Sequence, residues 1–135
     1  MFAARREHIE QVIRPAIDGG RWVLCDRFTD ATYAYQGAGR GIAFRHITML
    51  EDWIQDGLQP DLTILFDLPV EIARARSAGV REPDRFESEQ IEFFVRVRNA
   101  YLERARSSPR RFSIIDASKS MTDVEAQLAA IEALQ

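Results

Sequence analysis

The sequence predicts an α/β fold in which a parallel sheet is flanked by helices, and three observations carry that expectation. Three short apolar runs, at 22–25, 62–66 and 112–115, are too brief for helices. Each runs into a carboxylate: Asp26, Asp67 and Asp116. Amphipathic helical periodicity fills the stretches around them, and strand alternating with helix is the pattern of βαβ units with parallel strands.

Taken in order, residues 1–18 place Phe2, Ile9, Val12, Ile13, Ala16 and Ile17 at helical spacing, and Gly19-Gly20 supplies the stop. Pro15 is expected to kink or loosen the last turn. A helix that opens the chain without a cap implies that the beginning of the fold is missing. After the strand at 22–25, residues 29–41 lack apolar periodicity and are rich in Gly, Thr, Tyr and Asp, which predicts a loop with short helical turns. Phe44, Ile47, Met49, Leu50, Trp53 and Ile54 define the apolar face of a second helix, ended by Gly57 and Pro60.

The second strand, 62–66, leads into a helix over 69–78. Residues 74–87 gather Arg74, Arg76, Arg81 and Arg85 around Gly79 and Pro83, a composition unlike a core element. A long helix over 88–106 turns Ile91, Phe94, Val95, Val97 and Leu102 inward and Arg96, Arg98, Glu103 and Arg104 outward. The third strand follows, and Thr122 with Glu125 fits a capping box opening the last helix, which carries Val124, Leu128, Ile131 and Leu134. No repeat, low-complexity tract or linker interrupts the chain, so residues 1–135 are expected to form a single domain.

Composition narrows the function. With 46% hydrophobic residues the chain has the apolar content for a core. A net charge of −3 supplies no positive field for nucleic acid. There are 17 Arg against one Lys; Arg suits bidentate phosphate contacts, although genome composition alone yields the same bias. Cys25 is the sole cysteine, which excludes an internal disulfide or a multi-cysteine metal site and fits a reducing cytoplasm. No stretch approaches the roughly 20 apolar residues of a membrane span, and no signal-peptide pattern is present. His8 and His46 lack partners at ligand spacing, so no metal site is expected.

The chemistry concentrates where Asp26-Arg27 opens into the glycine-rich stretch 34–41, since α/β sheets present ligand groups at the carboxyl ends of strands. Asp26, Arg27, Tyr35 and Gln36 are expected to form most of a nucleoside-monophosphate pocket. Arg27 would reach the phosphate, and Asp26 would orient it or contact a metal shell. Asp67 and Asp116 read as turn or cap formers, and Arg5-Arg6 as a solvated helix face. The arginines of 74–87 are either a solvated face or a lid that neutralises a transferring phosphoryl group.

Taken together, Phe2-Ala3-Ala4-Arg5-Arg6-Glu7-His8, Asp26-Arg27-Phe28, Ala34-Tyr35-Gln36-Gly37 with Arg40-Gly41, Pro60-Asp61-Leu62-Thr63, the arginine-bearing lid and Asp84-Arg85-Phe86-Glu87 resemble bacterial thymidylate kinase, in order and spacing. The resemblance implies a P-loop NTPase-like, three-layer fold that transfers the γ-phosphoryl group of ATP to dTMP with Mg²⁺, in a cytoplasmic homodimer. It implies that Arg5 and Arg27 hold the dTMP phosphate, that Phe2 or Met1 stacks on thymine, that Thr32 and Gln36 contact the base, and that Tyr35 crowds the sugar 2′ position. Arg76, with Arg74 or Arg81, corresponds to the lid cations, and Asp116-Ala117 begins an adenine-side loop. The family's G-x-x-x-x-G-K-[ST] loop is absent, the one lysine being Lys119, as are the family's first strand, first helix and the Arg-containing segment before residue 1, so the chain resembles roughly the C-terminal two-thirds of a thymidylate kinase. The polypeptide alone is accordingly expected to have little kinase activity; the alternative is a non-catalytic nucleotide-binding or dimerisation remnant of a nucleoside monophosphate kinase.

Overall fold

The computed structural model describes residues 2–77 and 87–131. The chain divides into two compact units, Met1–Gln59 and Pro60–Gln135.

The first unit is helical. α1 (Phe2–His8) runs through a π-helical stretch (Ile9–Ile13) into α2 (Arg14–Asp18). The distortion precedes Pro15 instead of loosening the last turn, and Pro15 itself sits in the first turn of α2. The cause is local: proline lacks the amide donor and its ring crowds the carbonyl four residues back, so the backbone widens ahead of it. Ile9 and Ile13 are buried. Burial of such a side chain contributes about 1.5–3 kcal/mol.

The run at 22–25, expected as a strand, has no regular secondary structure and pairs with no strand among the described residues, and Trp22 and Leu24 are 83% and 98% exposed. Apolar side chains and an extended backbone make a strand only where a ladder partner satisfies the amides. α3 (Thr29–Thr32) and a π-helical stretch (Tyr33–Gly39) then supply the expected helical turns and take up most of the segment read as loop, followed by α4 (Phe44–Gln55). The buried stripe of α4 is Ile47, Glu51 and Gln55, one turn apart, while Phe44, Met49 and Trp53 of the expected apolar face are 52%, 68% and 79% exposed. Polar residues take the inward positions because they have partners there. The Tyr33 hydroxyl donates to Glu51 Oε2 at 2.5 Å, Gln59 Nε2 donates to Glu51 Oε1 at 2.7 Å, and the buried Gln55 accepts from Thr29 and donates to the Leu58 carbonyl.

α4 ends at Asp56 and Gly57, both at positive φ. Its last carbonyls are met from the first helices: Arg6 donates to Ile54 O at 3.0 Å and Arg14 to Gln55 O at 3.1 Å. Arg6 thus caps another helix from a partly solvated face, where it also pairs with Glu10 at 3.1 Å.

The second unit contains the sheet. β1 (Thr63–Asp67) and β2 (Phe112–Asp116) pair in parallel with Thr63 opposite Phe112 and Asp67 opposite Asp116, so the described sheet has two strands where three were expected. The crossover between them carries α5 (Val70–Ser77) and α6 (Glu87–Ser107). Val97 and Ala105 of α6 are buried, but Phe94 and Val95 are 44% and 37% exposed. Arg98, expected outward, turns to Asp67 at the end of β1. The last helix, α7 (Met121–Ala129), starts from Ser120 and not from Thr122, the Ser120 hydroxyl accepting from the Asp123 amide. Leu134, Asp84-Arg85-Phe86 and most of the expected lid lie outside the described residues.

Candidate functional site

In the first unit the focus is Arg5, which rises from α1 into a sleeve of aromatic rings. Its guanidinium lies 5.0 Å from the Phe2 ring centre and 5.4 Å from that of Phe28, and Nη2 donates to Thr32 Oγ1 at 3.1 Å. Nη1 is buried and has no hydrogen-bond partner among the described residues. Burial lowers the Arg5 pKa, opposed by the nearby Cys25 and Glu51. A buried guanidinium nitrogen with no acceptor is energetically unfavourable, and an anion relieves it.

Arg27 adopts φ of +62°, a region that favours glycine, and its guanidinium lies 5.3 Å from the Tyr35 ring centre. Such backbone strain is typical of ligand-binding turns. The Arg27 side chain is exposed, as is Asp26. Phe2, Arg5 and Thr32 are therefore brought together, and Arg27 with Tyr35; Gln36 follows on the same π-helical stretch, half-buried. Met1 lies outside the described residues.

Five residues that shape the site were given no role in it by the sequence. Phe28, which follows Arg27, closes the second side of the Arg5 sleeve. Tyr33, Glu51, Gln55 and Thr29 form the polar support beneath α3. The available signal was the i, i+4 spacing of Ile47, Glu51 and Gln55, which puts two polar residues in line with an apolar one.

In the second unit the loop after β2 is held from three sides. The Gln127 amide brackets the backbone of Asp116, accepting from its N–H at 2.8 Å and donating to its carbonyl at 3.3 Å. The Asp116 carboxylate accepts from the Ser118 amide at 2.9 Å and from its hydroxyl at 2.5 Å, and these bonds hold its pKa below the ordinary value. Arg76 donates to the carbonyls of Ala117 at 2.9 Å and Ser118 at 3.1 Å. Arg76 and Ala117 are thus in contact, while Arg74 lines a depression of about 350 Å³ with Val70, Glu71, Ala75 and Ile91. Arg81 lies outside the described residues.

Among the described residues no cluster of three or more His, Cys, Asp or Glu could hold a metal ion. Nor is any helix among them long and apolar enough to cross a membrane.

Comparison with known proteins gives a consistent answer. The family model for thymidylate kinase matches residues 1–128. Thymidylate kinase from Cupriavidus necator is 60% identical over 131 residues, covering 97% of this chain and 64% of the relative. That from Chromobacterium violaceum is 58% identical over 127 residues, covering 94% of this chain and 60% of the relative. The crystal structure of thymidylate kinase from Ehrlichia chaffeensis superposes with a TM-score of 0.73 at 31% identity, covering 99% of this chain and 63% of that one. The chain thus spans slightly less than two thirds of the length of these relatives, and the superposition gives it the P-loop NTPase fold, as expected.

Proposed function

The chain belongs to the thymidylate kinase family, and from that premise we propose that it supplies the dTMP-binding side of an enzyme that transfers the γ-phosphoryl group of ATP to dTMP. The observation that carries the reading is the unpartnered, buried Nη1 of Arg5. A phosphate oxygen is the acceptor it lacks, and a charge-assisted bond in a half-buried setting is among the stronger polar contacts.

In this reading Arg5 and Arg27 hold the phosphate, with Asp26 beside Arg27. Phe2, or Met1, stacks on thymine, Thr32 and Gln36 contact the base, and Tyr35 stands by the sugar 2′ position. Thr32 already orients Arg5, which joins base recognition to phosphate recognition. Arg74, Arg76 and Arg81 are the cations assigned to charge developing on the transferring phosphoryl group. Arg76 meanwhile secures the loop of Ala117, the stretch assigned to the adenine side together with Asp116. Mg²⁺ would accompany the ATP phosphates, as is usual for this cation, since no cluster of carboxylates or histidines among the described residues would hold it.

A homodimer formed through the helices of 1–18 and 43–57, in the cytoplasm, belongs to the same proposal and is supported by the exposed Val12, Ile17, Met49 and Trp53. Because no G-x-x-x-x-G-K-[ST] occurs in the 135 residues, the chain by itself is assigned dTMP binding without phosphoryl transfer. Calorimetric titration of the chain with dTMP tests the first claim: saturable one-site binding is expected, and no heat at millimolar dTMP would sink it. Dependence of ADP formation on dTMP in the same sample would overturn the assignment without transfer.

A further inference from the structure

The π-helical stretch Tyr33–Gly39 carries both Tyr35 and Gln36, and it is held on either side of them. Gly37 is buried against the Phe44 ring so closely that a Cβ there would stand 2.4 Å from Phe44 Cε1 and 2.7 Å from Cδ1. No real Cβ approaches a neighbour at such distances, so either the ring or the turn must shift if a side chain is added. The ring is not free to yield without loss. It packs edge-on to Tyr33, 5.6 Å between centres, and the Tyr33 hydroxyl is tied to Thr48 and Glu51 of α4. Directly after Gly37 the stretch closes with Gly41 N–H to Gly37 O at 2.7 Å and Ile42 N–H to Gln36 O at 3.0 Å. The turn is thus fixed at both ends of the Tyr35-Gln36 pair.

A π-helical turn inserts an extra residue per turn relative to the α-helix, so it rotates the side chains that it carries. Here it leaves Tyr35 under the Arg27 guanidinium. We propose that Gly37 and Phe44 are positioning residues for sugar and base recognition: their close approach sets the register in which Tyr35 and Gln36 are presented to the nucleotide. The inference rests on the dTMP-binding reading above, and it assigns selectivity to a pair that touches no ligand. Phosphate affinity, which resides in Arg5 and Arg27, is set separately.

The test compares binding of dTMP with that of its ribose counterpart, ribothymidine 5′-monophosphate, by calorimetry on the full chain. Native protein is expected to bind dTMP and to prefer it. Gly37→Ala is expected to weaken dTMP binding tenfold or more and to erase most of the deoxy preference, with the circular dichroism of a folded protein. Adding Phe44→Ala to Gly37→Ala makes room for the new methyl and is expected to recover at least part of both losses. If Gly37→Ala fails to fold, Phe44→Leu alone serves, with a threefold or greater fall in the deoxy preference expected. Native binding of dTMP with an unchanged preference in the folded variant, Gly37→Ala or Phe44→Leu, would overturn the positioning role. Absence of dTMP binding to the native chain would instead remove the functional reading beneath it.

Discussion

Arg98 grips Asp67 through two parallel hydrogen bonds, Nε to Oδ1 at 2.7 Å and Nη2 to Oδ2 at 2.8 Å. The pair joins α6 to the carboxyl end of β1, and hydrogen bonding to Asp67 raises the Arg98 pKa. Asp67 is more than a turn former: with its carboxylate half-buried, it needs the fork that arginine provides. Arg98→Ala is expected to lower stability by about 1–2 kcal/mol, above a surface ion pair but discounted for partial exposure. Arg98→Lys should recover less than half of that, because an ammonium cannot make the bidentate contact. Urea denaturation of the three proteins measures both values.

The polar core of the first unit has a matching vulnerability. Gln55 is 1% exposed and serves Thr29 and Leu58 at once. Gln55→Leu keeps the volume near constant and strips both partners, which should destabilise the chain by about 2–4 kcal/mol. Gln55→Glu is the informative companion, since it keeps the acceptor for Thr29 and loses the donor to Leu58. Thermal unfolding followed by circular dichroism orders the variants, with Gln55→Leu lowest.

Acid should loosen the loop after β2. The two Ser118 hydrogen bonds hold the Asp116 pKa below its ordinary value of 3.8. The folded state therefore favours the ionised carboxylate. The resulting stabilisation is present above the unfolded pKa and disappears as pH falls through the lower folded value. Carboxyl carbon chemical shifts followed against pH should show Asp116 titrating below 3.8. Ser118→Ala should move that titration upward toward it, and a Ser118→Ala curve identical to the native one would remove the cause assigned here.

Much of the architecture could be read from periodicity, because helices and paired strands bury one side of a repeating pattern. α6, β1 and β2 fall within a few residues of expectation. The stretch 22–25 did not follow, since strand formation depends on a ladder partner that a local run of apolar residues cannot encode. On α4 apolar spacing predicts an inward face that includes Ile47, Met49 and Trp53; Ile47 is buried, but hydrogen-bond partners on α3 and its extension draw Glu51 and Gln55 inward and leave Met49 and Trp53 exposed. At the candidate site, Arg27 lies against Tyr35 and Arg5 bonds to Thr32, whereas family resemblance groups Arg5 with Arg27 on the phosphate and Thr32 with Gln36 on the base. Phe28 as the second wall of Arg5, and Gly37 against Phe44, depend on side-chain placement in three dimensions and leave no periodic trace.

The claim on which the functional reading turns is that the buried, unpartnered Nη1 of Arg5 is kept for a nucleotide phosphate. The direct measurement is calorimetric titration of native and Arg5→Ala chains with dTMP and, as the phosphate-free control, thymidine. Loss of a charged hydrogen bond contributes about 1.5–3 kcal/mol, so dTMP affinity should fall by roughly tenfold to more than a hundredfold. Thymidine binding should stay within about threefold, equivalent to less than 1 kcal/mol. Equal dTMP affinity in the native and Arg5→Ala chains would contradict the assignment.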